Sequence, residues 1–393
     1  MNAVDSPQAI PFSQTSSRTS RGARTGWSAC IDGYFLFAVV SILLIGLTMV
    51  ASASVAIADK SGSPLGLFWR QSVYLGVATG IVTVLWPLEL KFWHRAGGLL
   101  MLGSVALLAL VLVPGIGREV NGATRWLSLG VVNLQPSEFV KIFVVMYLAG
   151  YLVRRAQEVR SAFSGFFKPV LILVVIAWLL LLEPDFGATV VVFATSLAML
   201  FLGGAPLRIF FGWVAVTAVA LGGILMAAPY RLQRLFTFLD PWADPFNSGF
   251  QLAQALIAIG RGEWFGVGLG GSVQKLFYLP EAHTDFLFAV LAEEFGLTGM
   301  TVVLALFGLL IWRGFSIASE AHAKGNEFGA YLAQGLTLLI GIQAFFNIGV
   351  NVGVLPTKGL TLPLMSFGGS SLLASAFAAG LILRIGYEAR RAP

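Results

Sequence analysis

Ten apolar runs, each close to the length a helix needs to cross a bilayer, recur along this chain and restrict what it can fold into. Their cores are Tyr34–Ala53, Gln71–Trp86, Gly97–Val113, Ser137–Val153, Val170–Leu182, Ala188–Leu202, Ile209–Ala227, Phe286–Trp312, Tyr331–Phe346 and Leu362–Leu383. At about 1.5 Å per residue, roughly 20 apolar residues cover the hydrocarbon core. The run from Phe286 exceeds one crossing, so it is expected to begin as a buried or interfacial segment and to cross from about Leu297. Only 11% of the residues are charged, against about 25% in soluble domains. The short alternating segments of a membrane β-barrel are not apparent, and 45 glycines suit close helix packing. The expected fold is an all-α polytopic membrane protein of about ten transmembrane helices, with a large extracytoplasmic loop, about residues 229–285, between helices 7 and 8.

Charge sets the expected orientation. With the N-terminus inside, the inner segments hold 15 of the Lys and Arg residues, and the outer segments and spans hold 10. Cytoplasmic loops are enriched in such residues, so both termini are expected in the cytoplasm. The net charge of +6 is accounted for in the same way, without a nucleic-acid partner. Residues 1–30 read as a disordered cytoplasmic tail, 31–386 as the membrane domain and 387–393 as a second cytoplasmic tail. No cleavable signal peptide is apparent. One cysteine, Cys30, excludes an internal disulfide framework.

Ionisable groups inside or beside spans are costly and carry functional hypotheses. The densest set is LPEAHTDFLFAVLAEEFG, with Glu281, His283, Asp285, Glu293 and Glu294, and Lys275 just before it. Others are Arg125 in GATRWLSLG, Glu138 and Lys141 in LQPSEFVK, Glu183 and Asp185 in LEPDFGAT, and Lys358 in LPTKGLTLPLMSFGGSS. Each has a structural alternative. Glu138 and Lys141, three apart on one helix face, either neutralise each other or serve a ligand. Glu183 and Asp185 suit a cap on the following helix. Glu293 and Glu294 suit an interface or a buried cation. His283 is either a hydrogen-bonded structural group or part of a site. Asp285 stands where a polar loop meets an apolar helix; half desolvated, it could act as a base or cap that helix.

Several chemistries lack support. There is no GxxxxGK[ST] loop, HExxH or Cys/His cluster. GVGLGG resembles a dinucleotide fingerprint only loosely; its glycines are expected to let backbone lie close to a membrane or substrate.

The segments KLFYLPEAHTDFLFAVLAEE and LPTKGLTLPLMSFGGSS, with NGATRWLSLG, NLQPSEFVK and EPDFGAT, resemble the SEDS family of membrane peptidoglycan glycosyltransferases from about Asp32 to Arg384. PTKGL followed by TLP is similar to the division branch more than the elongation branch. Phe367 departs from the tyrosine usual in the family, and Phe277 stands where many division-type members have glutamate.

The resemblance implies ten membrane helices and the polymerisation of lipid II at the outer face of the bacterial inner membrane, at the division septum. It matches Asp285 to the catalytic general base. Charge and position then nominate Arg125, Glu138, Lys141, Lys275, His283 and Lys358 as substrate-binding residues. Mg or Mn is implied as a cofactor, without a ligand set of convincing spacing. A single-pass class B penicillin-binding protein and divisome activators are the implied partners. Two alternatives remain: a transporter that flips lipid II, and a scaffold for the transpeptidase.

Overall fold

A computed structural model describes residues 30–55, 65–120, 123–128, 133–161, 163–226, 237–247, 249–276, 279–357 and 359–391. The helices are α1 (Gly33–Val55), α2 (Gly66–Leu85), α3 (Leu90–Val111), α4 (Pro136–Arg154), α5 (Ala156–Ser161), α6 (Phe163–Leu182), α7 (Phe186–Leu202), α8 (Leu207–Met226), α9 (Phe250–Gly262), α10 (Leu287–Ala323), α11 (Glu327–Asn351) and α12 (Gly369–Arg391). Each of the ten expected cores overlaps a helix. Among the described residues, eight helices are long and apolar enough to cross a membrane, and α7 is apolar but shorter. The fold is an all-α polytopic membrane protein.

Two differences have physical causes. The last helix begins at Gly369, not Leu362, because Leu362 to Phe367 is spent on turns held by Ser366. A small antiparallel sheet, β1 (Gly117–Val120), β2 (Ala123–Ser128) and β3 (Asn133–Leu134), fills the connection from α3 to α4. Its strands are too short to give a period-two signal against the apolar background. Residues 1–29 of the expected tail lie outside the described residues.

Burial divides the spans into a centre and a lipid-facing shell. Within the apolar windows of α12 and α4, 83% and 78% of residues are buried, whereas in α8 none is. Small residues explain the close approach at the centre. A Cβ on Gly335 of α11 would sit 2.6 Å from both Met199 of α7 and Val145 of α4. A side chain there would force the three helices apart.

α10 is broken at Gly296, whose φ of 63° and ψ of −158° suit only glycine. The break falls one residue before Leu297, where the sequence places the start of the crossing. An unbroken helix would pair Leu297 and Thr298 N–H with the carbonyls of Glu293 and Glu294. Instead they donate to the carbonyls of Glu263 and Trp264, at 2.9 and 3.1 Å. The orphaned Glu293 and Glu294 carbonyls accept from Val267 and Gly268 N–H, each at 3.0 Å. The loop after α9 thus satisfies these four groups. Its glycines serve that approach: a Cβ on Gly262 or Gly266 would lie 1.9 or 2.1 Å from a carbonyl oxygen of α10. Of the GVGLGG run, Gly266 therefore faces the protein's own backbone, as Gly262 before it does, whereas a Cβ on Gly268 or Gly270 would meet nothing within 4 Å.

The far end of α10 is stitched by ions. Arg313 and Arg390 both bind Asp32, the latter at 2.6 Å, and Arg390 also binds Glu320 at 2.9 Å. Burial would push the Asp32 carboxyl up, but bonds from Arg313, Phe35 N–H and Arg390 outweigh it and hold it at about 2. This cluster joins the start of α1 to the ends of α10 and α12. It lies at the opposite end of α10 from Asp285.

Candidate active site

Three connections meet at the other end of the bundle: the turn before α10, the segment between α11 and α12, and the α6–α7 corner. The turn is tight. Glu281 adopts φ 58°, strained for a non-glycine residue, and its carbonyl accepts from Thr284 N–H at 3.1 Å and Phe286 N–H at 3.3 Å. Asp285 is half-buried in this turn. The N-cap position of α10 belongs to Phe286, so Asp285 stands one residue before it. Ala289 N–H, which donates to the Phe286 carbonyl at 3.0 Å, is shared with another helix through Asn351 Oδ1, also at 3.0 Å.

Asparagine side chains of α11 hold the turn. Asn347 and Asn351 each donate to the Asp285 carbonyl at 2.9 Å, and Asn347 also donates to the Leu360 carbonyl at 2.5 Å. The two loops meet again where Phe367 N–H donates to the His283 carbonyl at 2.9 Å. The His283 ring lies 5.6 Å from that of Phe367. Burial lowers the His283 imidazole below its usual range, opposed by Glu281, so the ring is neutral at pH 7. Gly359 faces Asp285 directly, since a Cβ there would lie 3.2 Å from Oδ2. The Asp285 carboxylate therefore faces an exposed glycine at the edge of the second loop.

The remaining nominated residues divide by environment. Lys141, buried on α4, donates to Glu138 Oε1 and Gln343 Oε1, each at 2.9 Å. Gln343 continues to the Thr361 carbonyl at 3.2 Å, which links the pair to the second loop. Lys275 is buried and donates to Glu294 Oε1 at 2.7 Å and Ser52 Oγ at 2.8 Å. Arg125, on β2, gives Nε and Nη2 to the carbonyls of Glu183 and Pro184 at 3.0 and 2.5 Å, so it supports the α6–α7 corner. Lys358 lies outside the described residues, as does Phe277.

Asp185, not Glu183, caps α7: its Oδ1 accepts from Ala188 N–H at 3.0 Å and Oδ2 from Ser137 Oγ at 3.1 Å. Glu183 is fully buried beside it with neither side-chain oxygen hydrogen-bonded. Burial, then the charge of Asp185, pushes its carboxyl up to about 8, against Arg125. It is therefore protonated at neutral pH. Glu293 accepts from Ser272 Oγ at 2.5 Å, Val273 N–H at 3.0 Å and Arg261 at 3.4 Å. Both glutamates of the AEE stretch thus anchor the loop, as an interface-facing or cation-facing pair should. Among the described residues no group of three or more His, Cys, Asp or Glu is placed to hold a metal ion.

Neither Asn347 nor Asn351 stands out in the sequence. Neutral amides attract little notice beside charges. Their spacing of four on an apolar helix was the available signal, because it places both on one face.

The fold and this end of the bundle define a polytopic membrane protein whose acidic turn before α10 is tied to the segment between α11 and α12. The chain belongs to the family of cell cycle proteins that comprises FtsW, RodA and SpoVE, whose model matches residues 34–391. It is 56% identical over 380 residues to a probable peptidoglycan glycosyltransferase FtsW of Nitrosococcus halophilus, covering 95% of this chain and 96% of that one. A protein of the same description from Pseudomonas fluorescens is 52% identical, with 93% and 90% covered. Among solved structures, a chain from a peptidoglycan synthase complex that coordinates polymerization and crosslinking superposes with a TM-score of 0.75 at 31% identity, over 91% of this chain and 98% of that one. The rod shape determining protein RodA of Thermus thermophilus gives 0.66 at 30% identity, over 91% and 96%.

Proposed function

We propose that this chain is a peptidoglycan glycosyltransferase of the division branch, polymerising lipid II with Asp285 as general base. The observation that carries the proposal is the Asp285 turn: a half-buried carboxylate, set by two amides on its own carbonyl, facing an exposed glycine edge. The division assignment is supported by relatives at 50–56% identity that are all described as FtsW.

The chemistry follows from what the reaction needs. The 4-hydroxyl of an N-acetylglucosamine acceptor gives its proton to Asp285. Its oxygen attacks the anomeric carbon of an N-acetylmuramic acid donor, and the bond to undecaprenyl pyrophosphate breaks with inversion. General-base assistance of this kind contributes about 10²- to 10⁴-fold. His283, neutral and walled by Phe367, suits a shaping contact to a sugar. The departing pyrophosphate calls for a cation. Lys358 precedes Gly359 in sequence and is the leading candidate. Lys141, Lys275 and Arg125 are engaged by protein groups, so their contribution in this proposal is to hold the loops that form the site. Glu138 keeps Lys141 in place. Mg or Mn would accompany the substrate's own pyrophosphate and offset its charge.

The Asp285 end of the bundle is taken as outer and the Asp32–Arg313–Arg390 end as inner, with both termini cytoplasmic. A class B penicillin-binding protein is the proposed partner, supported by the synthase-complex neighbour. Divisome activators would act on that pair at the septum. Purified protein in complex with its partner, given labelled lipid II in vesicles, tests the reading. Glycan polymer is the expected product. Movement of label across the bilayer with no polymer would replace it with a transporter.

A further inference from the structure

Two neutral side chains of α11 converge on one backbone atom of the turn that carries the proposed base. Asn347 and Asn351 are buried, lie four residues apart on one helix face, and both donate to the Asp285 carbonyl at 2.9 Å. A carbonyl oxygen has two lone pairs, so two donors from different directions fix the peptide plane that the side chain hangs from. The remaining capacity of both amides is also spent on this region. Asn351 accepts from Ala289 N–H at 3.0 Å and donates to the Asn347 carbonyl at 2.9 Å, while Asn347 donates to the Leu360 carbonyl at 2.5 Å.

The consequences are geometric. Asn351 braces the first turn of α10, adding an acceptor from a neighbouring helix to an N–H that already bonds the Phe286 carbonyl at 3.0 Å. Asn347 ties the same Asp285 carbonyl to Leu360, one residue after Gly359. The separation between the carboxylate and the Gly359 edge is therefore set by α11, which contributes none of the proposed reacting groups. Asparagine between membrane helices often serves as general polar glue. Here the shared acceptor is the peptide of the proposed base itself.

We infer that Asn347 and Asn351 are positioning residues that hold Asp285 at the distance and angle its proton transfer requires; the inference rests on Asp285 being the base. Misplacement of a reacting group by about 1 Å costs on the order of 10²-fold in rate. Removal of the two donors also leaves the negative end of the carbonyl dipole unopposed beside the carboxylate. That disfavours the ionised form of Asp285 and moves the acid limb of the pH–rate profile upward.

The test uses the full chain in complex with its partner, with lipid II as the probe, and Asn347→Ala, Asn351→Ala and Gly359→Ala as variants. Gly359 is exposed, so its variant cannot fail by loss of core packing; its new methyl group crowds the Asp285 carboxylate. Expected are a fall in kcat of about 10- to 10²-fold in the asparagine variants, lipid II affinity within about twofold of wild type, and an acid limb displaced to higher pH. Gly359→Ala is expected to lower kcat with its melting temperature unchanged. The inference is overturned if kcat and the acid limb stay at wild-type values. It is overturned equally if turnover falls only in proportion to folded protein, with the pH profile unmoved. Asp285→Asn, run alongside, separates the two layers: polymerisation retained there removes the base itself, whatever the asparagine variants do.

Discussion

Replacing Lys275 by methionine is expected to destabilise the protein by about 3–5 kcal/mol, the range for breaking a buried ion pair by removing one partner. Glu294 would be left with Ser52 alone, and its second oxygen already lacks a hydrogen-bond partner. The double variant Lys275→Met, Glu294→Gln removes both charges together and is expected to recover most of the loss, because an uncharged pair carries no desolvation cost of that size. Thermal unfolding in detergent measures both. The same pair of variants decides what Lys275 does in the reaction. If Lys275 is a strut between the loop and α10, polymerisation returns in the double variant. If only stability returns, Lys275 touches the pyrophosphate.

Gly296→Ala is the second large effect. Its backbone conformation suits only glycine, and a Cβ there would lie 2.5 Å from Gly266 N. Strain of about 1–3 kcal/mol adds to the four backbone bonds exchanged with the loop, each worth about 0.5–1.5 kcal/mol. Alanine favours an unbroken α10, in which Leu297 and Thr298 recover Glu293 and Glu294 as acceptors and the 263–268 segment is released. A melting-temperature loss of the order expected from about 3 kcal/mol, with protease cleavage appearing near Trp264, is the predicted outcome. An unchanged melting temperature and a resistant loop would show that the exchange carries little of the stability.

Much of this architecture was legible because hydrocarbon periodicity is the strongest signal a membrane chain carries. The length excess after Phe286 even located the break near Leu297. Legibility failed where structure depends on contacts distant in sequence. Nothing local in Gly262 or Gly266 tells that they approach the backbone of α10. The short strands around Arg125 are fixed by pairing, and the turn at Leu362 looks as apolar as the helix that follows it.

At the proposed site, charge marks a region and does not separate the roles within it. Asp285 stood out by its place at a seam, while its reaction came from family likeness. Lys141 and Lys275 looked like ligands for an anion because a lone sequence cannot show that Glu138, Gln343, Glu294 and Ser52 already surround them. Asn347 and Asn351 carry no charge to notice, and their importance lies in a backbone carbonyl that no side-chain pattern reveals.

The central claim is that Asp285 takes the acceptor proton during glycan polymerisation. The most direct measurement is the rate of polymer formation from lipid II by the purified complex carrying Asp285→Asn, beside wild type, with melting temperature and partner binding followed in the same preparations. The account predicts intact folding and partner binding with polymerisation reduced by about 10²- to 10⁴-fold. Polymer formed at the wild-type rate by a folded, partner-bound Asp285→Asn protein would contradict it.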